Sequence, residues 1–176
     1  MASIERTAYL RFEPIPHARE LTEYFTPTAE EIAFGHPLVR RNASVFTVIL
    51  LLKCAQYLGY FPALTEIPSA IINHVRTCLR FPAHLVPLSE PPRTLRRHYR
   101  ALRAYLGLQP GHSHAARRLA IDTVAEAARV MAQPVDLINV AVEQLRRHGY
   151  ELPSFPTLDR RSSGCGLWST VSCLPR

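Results

Sequence analysis

Apolar residues recur along this chain mainly at helical spacing. Between Val45 and Leu58 they cover nearly every side of a helical wheel (Val45, Phe46, Val48, Ile49, Leu51, Leu52, Cys54, Ala55, Leu58). That pattern predicts a central buried helix, with Asn42 as its cap and Gly59 as its stop. Ahead of it, Thr26-Pro27 reads as a helix start. Thr26 suits the cap, Pro27 the first helical position, and Glu30 and Glu31 the positive end of the helix dipole. This helix fades near Gly35 and Pro37, and residues 1–25, with Pro14 and Pro16, read as irregular. Pro68 opens another helix, Ser69 to about Leu79, with Ile71, Ile72, Val75 and Leu79 on its apolar side.

Leu95, Tyr99, Leu102 and Leu106 then form one apolar stripe on a helix from about Arg93 to Leu106, which Gly107 ends. Ser113 is the expected cap of a helix to about Ala132. Pro134 begins the last, with Val135, Ile138, Val142 and Leu145 apolar and Gly149 after it. Almost nothing alternates as a strand would, so the expected fold class is all-α, in two small helical modules. Pro87, Pro91 and Pro92 read as a stiff connector between them. The modules are expected at residues 1–90 and 91–152, the second opening with the arginine-bearing helix. An extended linker is expected over residues 150–160, and 153–176 reads as linker and irregular, disordered tail, since no periodicity follows Arg161.

Charge sharpens this picture. The 176 residues carry 21 Lys and Arg against 14 Asp and Glu, a formal net charge of +7. Lys53 is the lone lysine. From Pro91 to Ile121 there are Arg93, Arg96, Arg97, Arg100, Arg103, Arg117 and Arg118 and no acidic residue. A helix with an apolar stripe and guanidinium groups on the rest of its surface suits a polyanion, because each arginine can neutralise a phosphate and release counterions. Those seven, with Arg40 and Arg41, are the candidate DNA-contacting residues. A solvated basic face, or ion pairs to Glu66 or Glu90, is the alternative, and genome base composition also enriches arginine.

Signs of catalysis are missing from the sequence. No Gly-rich phosphate loop, HExxH, nucleophile elbow or kinase motif occurs. Cys54, Cys78, Cys165 and Cys173 form no CxxC pair, and His112-x-His114 lacks a third ligand nearby, so neither a metal nor another cofactor is expected. Cys54 and Cys78 sit in apolar helical contexts as buried thiols. Glu30-Glu31 serves the helix dipole better than acid–base chemistry, since adjacent helical residues diverge. Tyr57, Tyr60 and Phe61 form either an aromatic platform for single strands or, the favoured reading, the lid of a core. No secretory signal is visible, and the apolar run Val45–Leu52 is far short of the roughly 18 residues of a membrane span. The protein is expected to be cytoplasmic, without a membrane partner.

The wording of four segments resembles the N-terminal region of Tn-three family transposases. They are Tyr24-Phe25-Thr26-Pro27-Thr28-Ala29-Glu30-Glu31-Ile32-Ala33-Phe34; Leu51 to Pro62 followed by Glu66-Ile67-Pro68; Arg93 to Arg103 with Leu106-Gly107; and Leu145-Arg146-Arg147 leading to Glu151-Leu152-Pro153, Phe155 and Thr157-Leu158-Asp159-Arg160. The resemblance covers about residues 5–160. It implies an all-helical region of two helix-turn-helix-like modules that grips double-stranded DNA at the transposon's terminal inverted repeat, in enzymes whose full-length forms act as dimers. The family's catalytic core, an RNase-H-like domain with three metal-binding carboxylates, has no counterpart here, so no catalytic residue carries over and a non-catalytic fragment is expected. The similarity stops after Arg160, for which a frameshift or truncation is the simplest origin. An inert or protein-interaction remnant is the alternative. Deleting residues 161–176 is expected to leave the melting temperature nearly unchanged; a drop of many degrees would make Trp168 a core residue.

Overall fold

A computed structural model of the chain describes residues 10–13 and 16–153. Its helices are α1 (Ala18–Phe25), α2 (Ala29–Leu38), α3 (Asn42–Leu58), α4 (Ser69–Cys78), α5 (Pro92–Leu106), α6 (His114–Ala127) and α7 (Pro134–Arg147), with one short 3-10 turn at Leu64–Glu66. The all-α expectation holds: among the described residues there is no strand, and one isolated bridge pairs Gln109 with Tyr150. The expected tail lies outside the described residues.

The chain divides into two compact units, one spanning Arg11–Leu106 and the other holding the described residues from Gly107 onward. In the first unit α3 is the hub. It is buried on every side, from Ser44 through Ala55 and again at Leu58, and α1, α2, α4 and α5 all pack on it. Gly59 ends it in the left-handed conformation (φ 83°), a backbone state that costs glycine nothing. Gly35 lets α2 approach closely, because a Cβ there would stand 2.8 Å from Cδ1 of Ile49.

Lys53, on this buried helix, needs a partner. Its Nζ lies 3.2 Å from Oε1 and 3.3 Å from Oε2 of Glu31, which also accepts from Gln56 Nε2 at 2.6 Å. The same carboxylate accepts the Thr28 backbone N–H at 2.8 Å, while Thr28 Oγ1 accepts the Glu31 N–H at 3.2 Å. Glu31 thus closes the capping box of α2 and neutralises the buried lysine together.

Several boundaries differ from the sequence-based expectation. The cap of α2 is Thr28, not Thr26, because only Thr28 stands three residues before a glutamate that can answer it. Residues 18–25 are helical rather than irregular. α1 starts after His17 without a side-chain cap, and it is held by Phe25, which is fully buried. Asn42 is the first residue of α3 and not its cap, which is Arg41. α6 ends at Ala127 rather than Ala132, where Val130 and Met131 N–H groups both turn back to the Ala127 carbonyl.

The largest correction concerns the proline-rich connector. The expected modules, 1–90 and 91–152, would place α5 in the second, but α5 packs within the first unit and the division falls after Leu106. The connector is laced to α3. The Leu88 N–H donates to Thr47 Oγ1 at 2.8 Å, that hydroxyl lies 3.1 Å from the Leu88 carbonyl, and Ser44 Oγ donates to Glu90 Oε1 at 2.5 Å. Proline stiffens a chain without saying whether its backbone is free or paired.

In the second unit α6 and α7 pack on each other through Val124, Ala127 and Leu137. Ser113 caps α6 as expected, its Oγ accepting the Ala116 N–H at 3.1 Å. The start of the expected linker is instead pinned: Gln109 donates to the Gly149 carbonyl and accepts from the Glu151 N–H, and Leu152 is buried.

Replacing Glu31 with alanine leaves a buried ammonium unpaired and is expected to cost about 3–5 kcal/mol. Adding Lys53→Met to that variant should recover much of the loss. Urea denaturation of both variants checks this, and additive losses would contradict it.

Candidate nucleic-acid interface

The candidate site follows from how α5 is seated. Leu95, His98, Tyr99, Leu102 and Leu106 face inward, and the stripe packs on Val48, Leu51 and Leu52 of α3 with Phe34, Leu38 and Phe61 around it. With 3.6 residues per turn, Arg93, Arg96, Arg97, Arg100 and Arg103 then fall within an arc of roughly 120° on the opposite side. Arg93, Arg96, Arg97 and Arg100 are exposed. Among the described residues these four form no ion pair. The acids that stood as alternative partners are engaged elsewhere. Glu90 holds Ser44, and Glu66 accepts the Ala63 N–H at 3.1 Å to cap the 3-10 turn.

Arg103 stands apart from the other four. Its guanidinium lies 5.6 Å from the Phe61 ring centroid and 5.9 Å from that of Tyr99, and those rings stack at 4.6 Å. Half-buried, it clamps the C-terminal part of α5 to the turn after α3. This contact supports the core-lid reading for Phe61, and Tyr57 too is built into a packed cluster. Tyr57 stacks on Phe12 and meets Tyr24 and Phe25, and its hydroxyl donates to Glu20 Oε1 at 2.7 Å. Burial first, then the Glu20 hydrogen bond, push that phenol up to about 12. Burial likewise raises Tyr60.

Helices α3 and α5 run in the same direction. Glu90, just before α5, meets Ser44 in the first turn of α3, and Phe61, just beyond α3, stacks on Tyr99. The N-terminus of α3, with exposed Arg40 and Arg41, therefore lies at the same end of this unit as the N-terminus of α5, with Arg93. Two helix N-termini there add their positive dipole ends to the guanidinium charge.

Arg117 and Arg118 are described with the second unit. They lie on α6 in the other unit, where Arg118 Nε sits 3.5 Å from Asp122 Oδ2 and Arg117 also has interactions of its own. Arg147 there is paired with Glu143 at 2.6 Å. His112 and His114 are exposed, and no group of three potential metal ligands occurs among the described residues. Cys54 is buried as expected, and burial pushes its thiol well up, whereas Cys78 is half-buried with Sγ 3.6 Å from His74 Nε2. No helix among the described residues is long and apolar enough to cross a membrane.

Sequence reasoning missed two residues that matter to this site. His98 is 1% exposed, and neither ring nitrogen has a hydrogen-bond partner among the described residues. Its spacing of three from Leu95 and four from Leu102 places it on the apolar stripe, a signal hidden by the arginines on either side. Glu31 likewise read as a dipole residue, although the chain's single lysine lies on the helix predicted to be buried.

No curated protein and no solved structure matches the chain. A family model described as a domain of unknown function (DUF4158) matches residues 1–164, nearly the whole sequence. The chain, a helical unit hubbed on α3 with its arginine-faced α5 and a second unit built on α6 and α7, thus belongs to the DUF4158 family.

Proposed function

We propose that this protein binds double-stranded DNA through the outer face of α5, as the N-terminal DNA-gripping part of a Tn-three family transposase acting at the terminal inverted repeat, and that its contribution is binding rather than strand transfer. The observation that carries this reading is the face itself: Arg93, Arg96, Arg97 and Arg100 are exposed together and form no ion pair among the described residues. A helix that needed its charge only for folding would be expected to compensate it, as α6 and α7 do with Asp122 and Glu143. Exposed uncompensated guanidinium groups gain most from phosphate, through bidentate hydrogen bonds and counterion release. The four segments that resemble the transposase N-terminal region support the same assignment, and one of them is α5.

We assign the candidates separate parts. Arg93, Arg96, Arg97 and Arg100 form the binding face, Arg40 and Arg41 extend it at the N-terminal end, and Arg103 positions the helix. Arg117 and Arg118 belong to the other unit and are assigned no part in this face.

Mobility-shift titrations of the intact chain against the element's terminal repeat, at two salt concentrations, test the proposal. Each phosphate contact adds about 0.9 to the steepness of log affinity against log salt, so the four arginines of α5 contribute about −3.6 to the slope. Replacing Arg97 and Arg100 together with alanine should make the slope shallower by about 2 and leave the melting temperature nearly unchanged. Unchanged affinity at low salt with an intact fold would remove α5 from the binding surface and favour the inert or protein-interaction remnant. Arg103→Ala should do the reverse, lowering the melting temperature while leaving the salt slope nearly unchanged.

A further inference from the structure

His98 is anomalous in its setting. It is buried on the inner face of α5, between Leu95 and Leu102, two members of the apolar cluster that seats the helix on α3. It is 1% exposed, and both ring nitrogens are without a partner among the described residues. A leucine there would leave no buried polar atom unsatisfied, so the imidazole does nothing for packing that an apolar residue would not do better. It does bring the one titratable group of α5 whose charge changes in the physiological range.

The surroundings make that titration consequential. Burial disfavours the charged ring most and lowers its proton affinity below the ordinary imidazole value of 6.5; Glu90 opposes this shift, and Arg97 adds to it. Ser44 Oγ donates to Glu90 Oε1 and fixes that carboxylate on the first turn of α3. On α3 itself the ionisable groups are Lys53, Cys54 and Tyr57. Lys53 is held by Glu31, Cys54 is a buried thiol, and Tyr57 donates to Glu20. On α2 they are Glu30, Glu31 and His36, of which Glu31 is the buried partner of Lys53. Of these groups Glu90 alone favours a protonated His98, and burial outweighs it.

We propose that His98 is a proton-operated latch on the arginine face: neutral, it lets α5 seat on α3 and hold its arginines in one rigid array; protonated, it unseats the helix and weakens DNA binding. The second half rests on the DNA-binding reading above, and the first half stands without it. The sign follows from linkage. The folded chain takes up the His98 proton less readily than the unfolded chain. Stability is therefore intact above about pH 6.5 and falls as pH drops below it, by up to about tenfold in the unfolding constant per pH unit, the limit for one proton.

The test uses the intact chain and His98→Leu, in two measurements between pH 7.5 and 5.5 at fixed ionic strength. In urea denaturation the wild type should lose stability steeply as pH falls, and the variant should lose much less. In DNA titrations the wild type should lose affinity as pH falls, and the variant should lose much less. If the variant does not fold, NMR of the wild-type histidine rings decides. The latch requires His98 to protonate below the ordinary imidazole value, and the signals of α5 to broaden or shift as it does so. Parallel stability profiles, or protonation of His98 with α5 undisturbed, overturn the latch. Absence of DNA binding at every pH, with the stability difference present, overturns the DNA-binding reading and leaves the latch standing.

Discussion

One buried charge organises the first unit. Lys53 sits on a helix enclosed by four others, and an ammonium there is tolerated only with a carboxylate opposite it. Glu31 supplies that carboxylate and at the same time caps α2 through Thr28, so the position of α2 on α3 and the start of α2 are set by one side chain. With α2 fixed, Phe34 is in place to stack on Tyr105 at 4.2 Å, and α2 and α3 together make the surface on which the apolar stripe of α5 lies. The direction of the arginine face follows from that seat, because the inward residues of α5 determine which way its other side points.

Two further devices hold α5 at its ends. Before its first turn, Ser44 and Thr47 bind Glu90 and Leu88. Near its last turn, Arg103 lies over the stacked rings of Phe61 and Tyr99. The result is a short basic helix whose exposed side chains stand on a seat fixed at both ends. This suits phosphate recognition, since a rigid array loses less conformational freedom on binding than arginines on a loose segment.

Where apolar periodicity was strong the sequence was readable. The all-round pattern of α3 and its Gly59 stop, the four-three-four stripe of α5 and the Ser113 cap of α6 were each visible before the fold was known. What was not visible depends on partners distant in sequence. α1 lacks a capping residue and is stabilised by Phe25 packing against Tyr57, so local signals are faint. The connector looked like a boundary because its prolines are obvious, while the Thr47 hydroxyl that binds Leu88 lies 41 residues away. The separation of Arg103 from its neighbours needs the Phe61 and Tyr99 rings, and the pairing of Glu31 with Lys53 needs the approach of α2 to α3. Helical spacing placed five arginines on one surface without revealing which of them the fold already uses.

The central claim is that the uncompensated face of α5 meets DNA. The most direct measurement follows the arginine side-chain Nε–Hε signals by NMR as a terminal-repeat duplex is titrated into the intact chain. The account predicts that Arg93, Arg96, Arg97 and Arg100 shift or become protected together, with Arg103 changing little because its guanidinium already lies over two rings. Shifts confined to other arginines, such as Arg117 and Arg118, with the α5 signals unmoved at saturation, would contradict it.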